Sequence, residues 1–150
     1  TFSKIYGLAA ERIGWAYGQP HLIETMNRIR APFNVTAAGQ AAAIAALSDT
    51  AFLDHSRAHN REWRDWMANE IASLSNHGLK AVPSWANFMM IMFEGKVSAE
   101  TVYMALMDAG YIVRWLPGQG LGNGLRITIG TEEENRGLVQ ALRAILETNG

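Results

Sequence analysis

The first fourteen residues read TFSKIYGLAAERIG (1–14) and bring together a lysine, a small hydroxyl residue and an arginine. Lys4 directly follows Ser3, and Arg12 comes eight positions after the lysine. A desolvated amine with an anion nearby can act as a nucleophile, and serine and arginine are residue types that bind phosphate. A loop lysine and an arginine paired with a surface carboxylate would give the same pattern, so this segment alone does not decide between the two readings.

The same segment has the character of an internal part of a protein. Residues 1–4 read as the end of a buried strand, and no initiator Met, basic region or apolar signal core precedes them. We therefore expect the chain to be a piece of a longer protein.

A second pair of basic residues lies late in the chain. Arg114 follows Tyr-Ile-Val (111–113), and Arg126 lies within LRITIGT (125–131). Both stretches read as buried strands, and a buried guanidinium costs free energy unless it has an anionic partner. That partner is either a ligand or an acidic residue such as Asp108 or Glu100, and the residues alone slightly favour the internal salt bridge.

The composition is that of a soluble globular domain. Of 150 residues, 49% are hydrophobic, and 13 basic side chains balance 14 acidic ones. A net charge of -1 gives no field that would attract nucleic acid or a membrane surface, and no apolar stretch is long enough to span a bilayer. The absence of cysteine excludes disulfides, thiolate chemistry and thiolate metal sites, and favours the cytoplasm.

The hydrophobic periodicity and the positions of glycine, proline and capping residues predict an α+β fold with a small mixed sheet covered by helices. The predicted helices cover residues 22–30, 36 to about 76 (as one long helix or two nearly collinear ones), 98–108 and 131–148. The predicted strands cover residues 79–83, 87–93, 111–115 and 125–129, and the glycine-rich run 118–124 is expected to form a flexible hairpin loop.

Other signals have simpler explanations. His55 and His59 are four residues apart on the predicted long helix but lie among charged residues, with no further ligand to complete a metal site. The sequon at Asn34 reflects a helix cap, and the glycine-rich run lacks the spacing of a phosphate-binding loop. The tryptophans at helical spacing are typical of a core or an interface.

Taken together, the motifs resemble one family. The pattern Thr-Phe-Ser-Lys-x-x-Gly-Leu-Ala-x-x-Arg-Ile-Gly, followed by Ile-Val-Arg and Leu-Arg-Ile-Thr-Ile-Gly-Thr, is similar to the C-terminal part of fold-type I aminotransferases that depend on pyridoxal phosphate. The closest likeness is the histidinol-phosphate branch, and it covers essentially the whole chain. The resemblance implies that residues 1–34 end the large cofactor-binding domain of an α/β enzyme. Residues 35–150 would form the small domain, with a long connecting helix.

The resemblance also implies roles for particular residues. Lys4 would bond covalently to pyridoxal 5'-phosphate and then move a proton between the substrate carbon and the cofactor. Ser3 and Arg12 would bind the cofactor phosphate, with Thr1 close by. The substrate's anionic group would be bound by Arg126, and a second anion contact would come from Arg114.

The resemblance further implies transfer of an amino group between glutamate and imidazole acetol phosphate, and it implies a homodimer, which the lack of cysteine would place in the cytoplasm. An aromatic or other amino acid is the alternative substrate, and a non-catalytic anion-binding α+β domain is the alternative from another class. Two positions depart from the family pattern, with Ala10 where glycine is frequent and Glu11 where an apolar residue is common.

In the family, the aromatic ring that stacks on the cofactor and the aspartate that pairs with its pyridinium nitrogen precede the lysine. Because these 150 residues include no counterpart of either, we expect the chain alone not to transaminate at a useful rate.

Overall fold

The computed structural model describes residues 1–149, and the chain divides into two compact units, Thr1–Ala58 and His59–Gly150. The helices are α1 (Pro20–Ile29), α2 (Ala37–Ser48), α3 (Thr50–Ala72), α4 (Ala99–Asp108) and α5 (Glu132–Asn149). The strands are β1 (Leu79–Val82), β2 (Phe88–Phe93), β3 (Arg114–Leu116) and β4 (Leu121–Thr128). No helix within residues 1–149 is long and apolar enough to cross a membrane.

The predicted long helix is two helices, α2 and α3, separated at Asp49. The Thr36 side chain accepts a hydrogen bond from the Gly39 N–H (2.9 Å) and caps α2, as the sequence predicts. The Asp49 carboxylate accepts from the Phe52 N–H (2.9 Å) at the start of α3, and its ψ of 73° lies outside the helical region. A side chain that caps the next helix therefore breaks the alanine-rich run.

The expected strand at residues 1–4 is wrong. Residues 3–7 form a turn, and Phe2 makes only isolated hydrogen bonds, from its N–H to the Ile13 carbonyl and from the Leu8 N–H to its own carbonyl. Phe2 is buried as expected, but within a small cluster of the first unit and not within a sheet. The cluster contains Phe2, Ile13 and Ala43, with Tyr6, Leu8 and Val35 packed against it.

The second unit is built on a four-stranded sheet in the order β1-β2-β4-β3. All three strand pairings are antiparallel, which differs from the mixed sheet predicted from the sequence. Short connections join β1 to β2 and β3 to β4, and short connections allow only antiparallel neighbours. Helix α4 connects β2 to β3, which lies at the far edge of the sheet. The chain then returns through β4, which lies between β2 and β3.

One face of this sheet forms the core, and the other carries the arginines. Leu125 and Ile127 of β4 and Met89 and Ile91 of β2 are buried together with residues of α3, α4 and α5. Because side chains alternate along a strand, Arg126 lies on the opposite face from Leu125. The small sheet covered by helices agrees with the predicted fold class.

The strand predicted from residue 111 begins later, at Arg114, because Gly110 and Tyr111 form hydrogen bonds that terminate α4. The Tyr111 N–H donates to the Leu106 carbonyl (2.8 Å) and the Gly110 N–H to the Met107 carbonyl (3.0 Å). These are the two hydrogen bonds of a Schellman motif, with Gly110 at φ +87°. The glycine-rich run does join two antiparallel strands, but its last residues belong to β4, which starts at Leu121.

Candidate active site

Lys4 lies in the turn of the first unit that replaces the expected strand. The Gly7 N–H donates to the Lys4 carbonyl (2.9 Å) and closes the turn. The Lys4 side chain is exposed, and no ion pair within residues 1–149 involves it. Its amine is therefore accessible to a ligand.

The three residues predicted at the cofactor phosphate are linked by hydrogen bonds through Ser3. The Thr1 hydroxyl donates to the Ser3 hydroxyl (3.0 Å), and the Ser3 N–H donates to the Thr1 hydroxyl (3.1 Å). The Arg12 Nη1 donates to the Ala9 carbonyl (2.9 Å) and, at 3.4 Å, to the Ser3 hydroxyl. We refer to Thr1, Ser3 and Arg12 as the phosphate cluster.

The phosphate cluster has hydrogen-bond donors that remain available to a ligand. The Ser3 oxygen accepts from both Thr1 and Arg12, and within the described chain its own O–H has no acceptor. Arg12 makes no ion pair with any residue of the described chain, so its charge is not neutralised by a carboxylate. Its backbone is in the left-handed region at φ +51°, a strained conformation that persists only where its surroundings enforce it.

Glu11, the acidic departure from the family pattern, is directed towards α2. A Cβ atom built on Gly39 in the first turn of α2 would lie 3.3 Å from the Glu11 Oε2 atom. The N-terminal end of a helix carries partial positive charge and favours a carboxylate. Glu11 is thereby accommodated without pairing with Arg12.

The two hydroxyls and the guanidinium, which is linked to them through Ser3 and has no carboxylate partner, form a donor set that suits a phosphate group. An accessible lysine amine within the same turn suits a covalent link to an aldehyde carbon. The residues present therefore fit the phosphate and the aldehyde of pyridoxal phosphate.

Arg114 and Arg126 are directly opposite each other in the β3–β4 pairing. Directly opposed residues share a face of the sheet, and like charges at such positions destabilise it. Neither arginine forms an ion pair within residues 1–149, so the internal salt bridge to Asp108 or Glu100 is not made. An anion bound between the two guanidinium groups would relieve their repulsion.

The two arginines differ in environment. Arg114 is exposed, contrary to the prediction that both are buried. Arg126 is partly buried, and its Nε atom is fully enclosed without a hydrogen-bond partner. Its guanidinium carbon lies 5.1 Å from the centre of the Phe88 ring. Phe88 is a contact that sequence analysis missed, because only the strand register brings the two side chains together.

The predicted site residues thus form two sets. Thr1, Ser3, Lys4 and Arg12 belong to the first compact unit, and Arg114 and Arg126 belong to the second. Each set lies within its own unit, and among the described residues the first set leaves one guanidinium and the second leaves two without a carboxylate partner.

Two of the remaining candidates, His59 and Trp63, make contacts within the fold. The His59 Nε2 atom lies 2.9 Å from the Gly130 carbonyl, and the Asn135 amide binds both the N–H and the C=O of Gly130 (3.0 Å each). No group of three potential metal ligands occurs in the part of the chain that the structure describes. Trp63 is buried, and the Arg136 guanidinium lies 5.1 Å from its ring centre.

A groove of about 840 Å³ also runs along β1 in the second unit. Its lining includes Arg64, Lys80 and Trp85, and neither Arg114, Arg126 nor Phe88 contributes to it. The groove therefore does not bear on the predicted site.

Known proteins resemble the whole chain. The sequence pattern of the family "Aminotransferase class I and II" matches residues 1–142. Histidinol-phosphate aminotransferase of Sphingopyxis alaskensis is 65% identical over 146 residues, covering 97% of this chain and 39% of the relative. The corresponding protein of Zymomonas mobilis is 58% identical over 146 residues, covering 97% and 40%. The chain thus spans 39–40% of the length of these relatives.

Solved structures agree with the sequence relatives. Histidinol-phosphate aminotransferase of Sinorhizobium meliloti, solved in complex with pyridoxal-5'-phosphate, matches with a TM-score of 0.88 at 31% identity, over 100% of this chain and 40% of that one. The Clostridium acetobutylicum protein of the same description has a TM-score of 0.89 at 20% identity, covering 98% and 44%. At 20% identity, this second match shows the shared fold alone.

Proposed function

The chain belongs to the class I and II aminotransferases, and from this premise we propose that it is the C-terminal portion of an enzyme that uses pyridoxal 5'-phosphate. The proposal rests on the phosphate cluster of Thr1, Ser3 and Arg12, which lies next to the accessible Lys4 in the sequence. The cluster suits the cofactor phosphate, and Lys4 suits the covalent link. The solved relative that contains pyridoxal-5'-phosphate supports this assignment.

The proposed substrates are glutamate with 2-oxoglutarate and histidinol phosphate with imidazole acetol phosphate. Relatives at 65% and 58% identity that are described as histidinol-phosphate aminotransferases favour this pair over aromatic amino acids. Each substrate carries a carboxylate or a phosphate, and the unpaired guanidinium groups of Arg114 and Arg126 suit either group.

The predicted site residues have separate roles in the proposed reaction. When bound, pyridoxal phosphate supplies the electron sink and carries the amino group between the two substrates. Lys4 Nζ accepts and returns the proton of the substrate carbon, while Ser3 and Arg12 hold the phosphate in place. Arg126, assisted by Arg114, holds the substrate's anionic end and so orients the reacting carbon.

The wider organisation follows from the same premise. Residues 1–34 would end the cofactor-binding domain, and residues 35–150 would form the small domain. Support for a connecting role of α3 (Thr50–Ala72) comes from its continuation from one compact unit into the other. The complete enzyme is proposed to be a cytoplasmic homodimer.

Steady-state kinetics of the complete enzyme test this function. With glutamate as donor, we expect kcat/KM to be higher for imidazole acetol phosphate than for aromatic keto acids. Arg126→Gln should lower kcat/KM for both the donor and the acceptor, because both present an anion to this residue. A preference for aromatic keto acids, or activity that does not change in Arg126→Gln, would contradict the proposal.

A further inference from the structure

Arg126 is held by an aromatic ring and not by an acidic side chain. Its guanidinium carbon lies 5.1 Å from the centre of the Phe88 ring, and its enclosed Nε atom has no hydrogen-bond acceptor. A cation above the face of an aromatic ring is attracted by the negative charge of that face. Within residues 1–149, no carboxylate pairs with Arg126, and the Phe88 ring is the one side chain that attracts its charge.

The strand register explains the contact. Met90 of β2 is directly opposite Arg126, and Phe88 is directly opposite Thr128. Phe88 is therefore the diagonal neighbour of Arg126 on the same face, a separation that aromatic and long side chains bridge.

The backbone at Phe88 is fixed on both sides. The Ser84 hydroxyl donates to the Phe88 carbonyl (2.6 Å) and accepts from the Ala86 N–H (3.1 Å). The Ile129 N–H donates to the Asn87 carbonyl (2.9 Å), which ties the start of β2 to the end of β4. The ring therefore stands on a backbone that is anchored at the end of the sheet where Arg126 lies.

A carboxylate in this position would neutralise the guanidinium and compete with a substrate anion for it. An aromatic face holds the cation without supplying a full negative charge, so the hydrogen-bonding edge of Arg126 stays available. We propose that Phe88 is a positioning residue that holds Arg126 ready for the anionic end of both substrates. This inference rests on the proposed function, because it assumes that Arg126 binds substrate.

The test compares two phenylalanines of β2 in the complete enzyme. Phe88→Leu removes the aromatic face beside Arg126, whereas Phe93→Leu makes the same change on the buried face of the same strand. We expect Phe88→Leu to raise the KM for glutamate and for imidazole acetol phosphate about fivefold each, with kcat nearly unchanged. Phe88→Tyr keeps the aromatic face and should restore both KM values.

Phe93→Leu should lower the melting temperature and leave both KM values unchanged. Equal KM effects of Phe88→Leu and Phe93→Leu, or no effect of Phe88→Leu, would overturn the inference while the proposed function stands. Absence of transamination by the wild-type enzyme would overturn the proposed function, and this inference with it.

Discussion

Among individual residues, Ser3 links the phosphate cluster, because its hydroxyl accepts from both Thr1 and Arg12 and keeps its own proton for a ligand. Arg12 adds the one full positive charge of the cluster. These are the features that make affinity for a phosphate group sensitive to single substitutions.

Arg12→Gln should weaken the binding of pyridoxal phosphate by about tenfold to a hundredfold, because it removes a charge-assisted hydrogen bond. Titration of the complete enzyme with pyridoxal phosphate, for the wild type and for Arg12→Gln, measures the two dissociation constants that check this. Arg28→Gln is the matched control, since Arg28 is exposed on α1 and forms no ion pair within the described residues. Equal effects of the two substitutions would contradict a specific role for Arg12.

The sequence indicates these residues only in part. Residue type and spacing single out Ser3, Lys4 and Arg12, but their roles come from a family resemblance and remain predictions. The exposure of Arg114 and the contact of Arg126 with Phe88 depend on strand register. The β2–β4 register joins strands that are distant in sequence, and the β3–β4 register shifts between Trp115 and Leu116, so neither register is evident from a local pattern.

Among the elements, the junction before β1 tolerates no side chain at Gly78. Its φ is +79°, and a Cβ atom there would clash with the Gly95 backbone nitrogen. Gly78→Ala should therefore lower the free energy of unfolding by at least about 2 kcal/mol. Gly118→Ala is the control, because a Cβ atom there would meet nothing within 4 Å. Chemical denaturation that gave equal losses for both would contradict this account of the junction.

The start of α5 predicts a pH effect. The Thr131 N–H and hydroxyl donate to the Glu134 carboxylate (2.8 and 3.0 Å), and these hydrogen bonds hold the pKa of Glu134 below its usual value of 4.5. A lowered pKa means that the ionised form stabilises the fold above about pH 4.5 and that this contribution is lost as the pH falls through the folded-state pKa. Glu134→Gln cannot titrate, so it should lose less stability than the wild type between pH 6 and pH 3. Parallel pH profiles from denaturant unfolding would contradict this.

The elements that have local signals are predicted well, whereas the way in which the strands pair is not. The starts of three helices are predicted by the caps at Thr36 and Ser98 and by the acidic first turn of α5. The sequence predicts the end of a strand at residues 1–4, where the structure has the start of a turn, because the apolar Phe2 indicates burial without indicating its neighbours.

For the whole molecule, we expect the purified 150-residue chain not to sustain transamination. The resemblance implies that the aspartate that pairs with the pyridinium nitrogen lies outside these residues, and without it the electron sink is weak. Turnover of glutamate by this chain, compared with the complete enzyme at equal concentration, checks the expectation. Sustained turnover by the chain alone would contradict it.

The most direct test of the central claim is reductive trapping of pyridoxal phosphate with borohydride in the complete enzyme, followed by peptide mapping. The account predicts that Lys4 carries nearly all of the label, that Lys80 and Lys96 stay unlabelled, and that pyridoxal without the phosphate labels Lys4 poorly. Label spread across the three lysines, or a Lys4 without label, would contradict the assignment of Lys4 and of the phosphate cluster beside it.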